Sequence, residues 1–417
     1  MKYISILFLL SSIFYSCKES VDAVDKTIIP VAEVVGTGEI LNLSDYAKSV
    51  KYIPLETNDS MLVGRLVQAI PIENKYLIGD APFGQTSQYY LFDGKGNYVI
   101  QVGSKGHGPG QYSNILSVDV DDQHKTILLE AIPKCFEYNW DGVLIDERTK
   151  MDSAGYHPFQ TMYAGENLYL STISSPDVRE YKAFLYEKDK AGLKIVRTYP
   201  NNFQREKTGV GKGSWGTMDG KIFRGKERIR YWRAWDDTIF TLNSKLELET
   251  AFLFDFGKYK APMEWMFSYR EDYATVNYIY PEQIMESGDY LFIAFSFGNN
   301  APEKYEYERM VIPQRSRQTR KIVNVSVYSV FDKNTGKLRF LNQPVKHKYL
   351  GFRNDLDGGP VFWPKYVSAE NEMVTWFTAD ELLDIYKQLP NPSAELKVLV
   401  KKLNPDDNPV LMVVTLK

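Results

Sequence analysis

The chain has 417 residues, 44% hydrophobic and 25% charged, which supplies a large core and carries no signature of disorder. Its formal net charge is −3 and no long basic run occurs, so it lacks the electrostatic footprint that a nucleic-acid partner requires. Aromatics reach 14%, a composition that favours strands, where flat side chains fit a pleated, half-buried surface.

The first element is MKYISILFLLSSIFYSC (1–17), with Lys2, an apolar run from Ile4 to Leu10 and a terminal Cys17. It is too short to anchor as a spanning helix and has the shape of an export signal. The lone Cys at its end resembles the lipobox of bacterial lipoproteins, which implies an acylated Cys17 and attachment to a membrane without a spanning helix. Phe14 and Tyr15 depart from the strict lipobox, so an ordinary signal peptide with an incidental Cys is the alternative. The expected division is a signal peptide over 1–16, a linker over 17–29 and one folded domain over 30–417. Cys135 is the only other cysteine, so an internal disulfide in the mature chain is not expected. It sits in an apparent strand and reads as a small buried hydrophobe.

Beyond the linker a unit recurs. QYYLFDGKGNYVIQV (88–102), CFEYNWDGVLID (135–146), AFLYEKDKAGLKIV (183–196), TIFTLNSKLELET (238–250) and VYSVFDKNTGKLRF (327–340) each read as strand, polar turn, strand. Asp93, Asn139 and Glu187 take equivalent places at intervals of 46 and 48 residues, the period of a four-stranded propeller blade. ILSVDVDD (115–122) and KTILLEAI (125–132) supply the first two strands of one such blade. NLYLSTI (167–173), RIRYWRAW (228–235), DYLFIAFSF (289–297) and EMVTWFT (372–378) fill the second-strand place in others. Five hairpins and a final half-blade predict an all-β, six-bladed propeller of four-stranded antiparallel blades. NPVLMVVTLK (408–417) is expected to close the ring by pairing with SVKYIPLE (49–56), which removes exposed edges. A seventh blade in the gap between Asn243 and Asp332 is the alternative.

Two segments break the β pattern and read as a short helical insertion between strands of the last blade. TADELLDIYKQL (378–389) has apolar residues at helical spacing, with Thr378 or Asp380 as its cap, and SAELKVLVKKL (393–403) reads as a second helix. VGSKGHGPGQY (102–112) is glycine-rich, but it follows a hairpin and precedes another β pattern. It therefore reads as a corner between two blades and not as a phosphate-cradling loop before a helix.

That corner resembles the blade connection of NHL-type propellers and, more closely, the six-bladed β-propeller lipoproteins of Bacteroidetes. YIPLETND (52–59), AWDDTIFTL (234–242), NDLDGGPVFWP (354–364) and LNPDDNPVLMVVTLK (403–417) carry the same resemblance. It implies a propeller fold and an outer-membrane lipoprotein facing the periplasm or the surface. It brings no catalytic residue with it.

Only four His occur, none at a metal-ligand spacing, so no metal and no cofactor is expected. The pairs Asp121–Asp122, Asp236–Asp237 and Asp406–Asp407 read as turn residues. Two stretches remain as ligand contacts. NDLDGGPVFWP sets Asp355, Asp357, Phe362 and Trp363 around a double glycine, a combination that could stack on a sugar and bind its hydroxyls, or form a structural turn. In IRYWRAWDD (229–237), Arg230, Trp232 and Asp236 share one strand parity and would face either the funnel or a neighbouring blade. Arg315, Arg317, Arg320 and Lys321 end an insertion over 301–321 that reads as a solvated loop or a dock for acidic groups. The sequence thus points to a binding or scaffolding module for a glycan, peptide or envelope protein. The alternative is a propeller lyase or hydrolase, against which the sparse His count weighs.

Overall fold

The computed structural model describes residues 27–417 apart from 59–60, 83–86, 132, 151–157, 174–178, 202–219, 226–227, 235, 263–264, 266–272, 303, 312–317 and 342–349. The expected signal peptide, Cys17, Trp235, Arg315 and Arg317 lie outside the described residues.

Six four-stranded antiparallel blades follow one another, as the turn pattern predicts. Blade 1 comprises Leu66–Ile72, Lys75–Asp80, Gln88–Asp93 and Tyr98–Val102. Blade 2 comprises Ile115–Asp121, Thr126–Ala131, Lys134–Asn139 and Leu144–Thr149. Blade 3 runs through Pro158–Gly165, Leu168–Ile173, Tyr181–Lys188 and Leu193–Pro200. Blade 4 runs through Lys221–Arg224, Ile229–Trp232, Thr238–Leu242 and Leu248–Phe254. Blade 5 has Tyr280–Glu286, Tyr290–Ser296, Ser326–Asp332 and Lys337–Phe340, with a separate hairpin, Tyr305–Val311 and Gln318–Asn324, between its second and third strands. Blade 6 takes Tyr366–Val367, Glu372–Phe377 and Val410–Leu416 from the C-terminal end and its outermost strand, Ala47–Pro54, from the N-terminal end. Closure by strands from both ends is as expected.

The same side-chain device shapes the outer hairpins. Asp93 accepts from the N–H groups of Lys95 and Asn97, Asn139 from Asp141 and Val143, and Asn243 from Lys245 and Glu247. A carboxylate or amide oxygen thereby replaces the backbone acceptor that a tight turn lacks. In blade 3 the residue is Asp189, which accepts from Ala191 and Gly192. Glu187, expected there from spacing alone, lies within the strand opposite Leu168 and Lys194.

Stability resides between the blades. Apolar clusters join blades 1 and 2 (Leu91, Phe136), 2 and 3 (Leu128, Phe184), 3 and 4 (Leu185, Tyr231), 4 and 5 (Trp232, Phe295), 5 and 6 (Phe292, Met412), and 6 and 1 (Val374, Ile78). Strands sandwiched this way are apolar on both faces, which is why Thr126–Ala131 is buried throughout and shows no alternation.

Antiparallel succession gives the ring two unlike faces. Short turns, such as 73–74 and 94–97, collect on one. Blade-to-blade connections, the blade 5 hairpin and two helices collect on the other. The helices are Ala379–Tyr386, opened by a Thr378–Glu381 capping box, and Ala394–Val400, capped by Ser393, in agreement with the sequence pattern. The glycine-rich corner joins the outer strand of blade 1 to the inner strand of blade 2. Gly103 has φ 66°, and a Cβ there would lie 2.4 Å from the Tyr138 hydroxyl oxygen. Gly110, at φ 71°, donates to Glu147 Oε2 at 2.7 Å.

The chain enters the fold as Ile28–Ile29, within the segment read as linker, paired parallel to Leu253–Phe254 on blade 4. It then passes the outer side of blade 5, bridging Leu341 at Glu39 and Arg353 at Asn42, before joining blade 6. Residues 27–46 thus form a belt across three blades.

Candidate ligand site in the central channel

Each inner strand starts on the elaborated face and runs toward the short turns, so polar side chains in those strands converge on the axis. They line a cavity of about 340 Å³ to which all six blades contribute. Gln68, Gln160 and Gln283 come from blades 1, 3 and 5, Asp119 from blade 2, Lys221 and Arg224 from blade 4, and Lys365 and Tyr366 from blade 6. Phe159, Phe223 and Trp232 add aromatic surface.

Both carboxylates of the lining are held by cations. Arg224 Nη2 lies 2.6 Å from Asp119 Oδ2, which also accepts from the Tyr163 N–H at 3.0 Å. Burial pushes the Asp119 carboxyl up, with Arg224 opposing. The Arg224 side chain keeps 30% of its surface, and its Nε has no hydrogen-bond partner. Glu286 accepts from Arg230 Nε and Nη2 at 2.7 and 2.9 Å and from Lys333 at 2.9 Å. Burial works against its charge, but these cations outweigh that and hold its carboxyl below the usual range. Gly225 makes room for it, because a Cβ there would lie 2.7 Å from Glu286 Oε2.

Blade 6 supplies two further groups. Tyr366 is pushed up by burial and by Asp119 and Asp122, so its phenol stays protonated and can donate a hydrogen bond. Lys365 lines the cavity and keeps contact with solvent, and desolvation by the protein around it pushes its ammonium down to about 8, with Glu381 opposing. It donates to the Trp376 carbonyl at 3.0 Å and lies 4.3 Å from the centroid of that ring.

The residues singled out from sequence divide between two places. Arg230 and Trp232 share one face of their strand and turn toward blade 5. Arg230 is committed to Glu286, whereas Trp232 lines the cavity and leaves its indole N–H without a partner. Asp355, Asp357 and Trp363 do not line it. Asp355 accepts from the Ser44 N–H and hydroxyl at 2.9 and 2.6 Å. Asp357 accepts from Asn354 and from the Gly359 N–H. Trp363 stacks on Tyr328 with centroids 4.3 Å apart. These three tie the blade 5 to blade 6 connection to its surroundings. Asp119, Arg224, Lys365, Tyr366 and the three glutamines were missed, although a polar residue inside an otherwise apolar inner strand, such as Asp119 in ILSVDVD, was the available signal.

Cys135 is buried and donates to Glu130 Oε2 at 2.9 Å, and burial pushes its thiol well up, so it is not poised as a nucleophile. Among the described residues no group of three or more His, Cys, Asp or Glu could hold a metal ion, and no helix is long and apolar enough to cross a membrane.

A closed ring of six four-stranded blades around a polar, ligand-sized channel defines a six-bladed β-propeller. Residues 26–415 match the family model described as a domain of unknown function, DUF4934, and the chain belongs to that family. Its fold is similar to that of a Bacteroides fragilis protein described as exported, at 20% identity and a TM-score of 0.67 over 94% of this chain and 100% of that one. It is also similar to a DUF4221 family member from Bacteroides vulgatus, at 11% identity and a TM-score of 0.51 over 89% and 97% of the two chains. No curated protein matches the sequence.

Proposed function

We propose that this protein is exported to the cell envelope, held at the outer membrane by an acylated Cys17 on its periplasmic or outer side, and works as a binding or scaffolding module with the channel as its ligand site. The channel carries the reading: amide, ammonium, guanidinium and phenol groups from different blades converge on one cavity of about 340 Å³. Export and anchoring rest on residues 1–17 and on the lipoprotein resemblance, and the exported relative of like fold supports the location. A glycan, a peptide or an envelope protein is the expected partner.

The mature chain is expected to gain several degrees in melting temperature with at least one member of a panel of glycans, cell-wall fragments and peptides. Gln283→Trp, which fills the channel, should abolish that gain. Stabilisation that survives Gln283→Trp would move the site elsewhere. Cells fed an alkyne-bearing fatty acid should label the wild-type chain and not Cys17→Ser; an unlabelled wild type would remove the anchor.

A second reading, a lyase or hydrolase acting on glycans or peptides, is favoured by the gathering of Asp119, Arg224, Lys365 and Tyr366, all with displaced proton affinities, at one cavity. Turnover of the stabilising ligand decides between the two.

A further inference from the structure

We infer that the channel takes an acidic sugar, a hydroxylated ring bearing a carboxylate, of one or two rings in size; this rests on the channel being the ligand site. Charge is the first ground. Asp119 is neutralised by Arg224, and Glu286 by Arg230 and Lys333 together. Lys365 forms no ion pair among the described residues. An incoming anion therefore meets positive charge that no carboxylate of the lining offsets, and an incoming cation finds no uncommitted carboxylate there.

The hydrogen-bonding groups of the lining agree. Lys365 and Arg224, whose side chain keeps 30% of its surface, can only donate, and the protonated Tyr366 phenol can donate too, so the lining favours a ligand rich in acceptors. The rest of the lining suits a sugar ring. Phe159 and Phe223 offer flat surface to C–H faces, and the glutamine amides both donate to and accept from hydroxyls. A volume of about 340 Å³ lies at the small end of ligand pockets, roughly 300–1,000 Å³, which suits one or two sugar rings.

Lys365 makes the class testable through pH. The neighbours that set its charge are Glu381 on the following helix and the Trp376 ring and carbonyl. With its proton affinity near 8, attraction for a carboxylate is present below that pH and lost above it.

The test is calorimetric titration of the mature chain with D-galacturonate and D-glucuronate, against D-galactose, D-glucose and inorganic phosphate. A uronate should bind and the neutral sugars should not. Its affinity should fall roughly tenfold from pH 7 to pH 9 as Lys365 loses its proton. Lys365→Met should weaken it at least about tenfold at pH 7, the order of one charge-assisted hydrogen bond. Lys365→Arg should restore it and remove the pH dependence, which a merely structural role for Lys365 would not do. Equal binding of neutral sugars, or binding of phosphate in place of uronate, overturns the acidic-sugar class and leaves the channel site standing if Gln283→Trp abolishes it. If neither the uronates nor any panel member binds in a Gln283→Trp-sensitive way, both readings fall.

Discussion

Replacing Lys150 with methionine should destabilise the protein by about 3–5 kcal/mol, the cost of leaving a buried charge without its partner. Lys150 Nζ lies 2.9 Å from Glu130 Oε2, with side-chain exposures of 3% and 1%. It also donates to Thr161 Oγ1 and Ser171 Oγ at 2.9 and 2.7 Å and sits 4.9 Å from the Tyr186 ring centroid, joining blades 2 and 3. Burial alone would lower its proton affinity, but Glu130 and its neighbours raise it above the usual lysine range. The sign follows: a raised lysine contributes stability that is complete below the ordinary lysine range and is lost as pH rises through the folded value. Glu130 Oε1 already lacks a partner, so when the ammonium goes the carboxylate keeps only the Cys135 thiol, a weak donor, on Oε2. The double variant Glu130→Leu/Lys150→Met should regain most of the loss, because apolar groups of similar volume avoid the desolvation that the pair must offset. Urea midpoints of the three chains provide the measurement. A Lys150→Met loss below about 1 kcal/mol would sink the argument.

A chain that begins at Ala47 should melt far below one that begins at Thr27. Both keep the blade 6 closing strand, and only the belt over 27–46 differs. Within it Ile29, Val31, Leu41 and Leu43 have 0% exposure. Fully burying such a side chain is worth roughly 1.5–3 kcal/mol, offset in part by the entropy of ordering the belt. The belt also brings Glu39 to Arg339 at 2.7 Å and packs Tyr46 on Tyr290 and Phe352. Its removal bares apolar clusters between blades 4 and 5 and between 5 and 6, so the shortened chain should also aggregate. A drop in melting temperature of roughly 10 °C or more is expected, and equal melting of the two chains would show the belt to be dispensable.

The blades were legible because their signals are short-range. An Asp or Asn oxygen three or four atoms from its own backbone makes a turn whatever lies beyond, so Asp93, Asn139, Asn243 and Asp332 mark hairpins in the sequence alone. The miss at Glu187 has the same origin. Spacing cannot register a turn that is shorter by a residue, whereas Asp189 could have been recognised by its chemistry. Thr378 and Glu381 announced a helix for the same local reason.

The channel was not legible, for two physical reasons. Strands buried on both faces lose the alternation that would say which side chains point inward, so Arg230 and Trp232 could be given a shared face but not a destination. The partners, moreover, are far apart along the chain: Arg224 meets Asp119 across 105 residues, and Glu286 meets Arg230 across 56. Turn chemistry and strand propensity, acting over a few residues, determined six blades, two capped helices and the closing strand. Which polar groups face the axis, and which of them remain uncommitted there, was decided only when ring closure set the blades side by side.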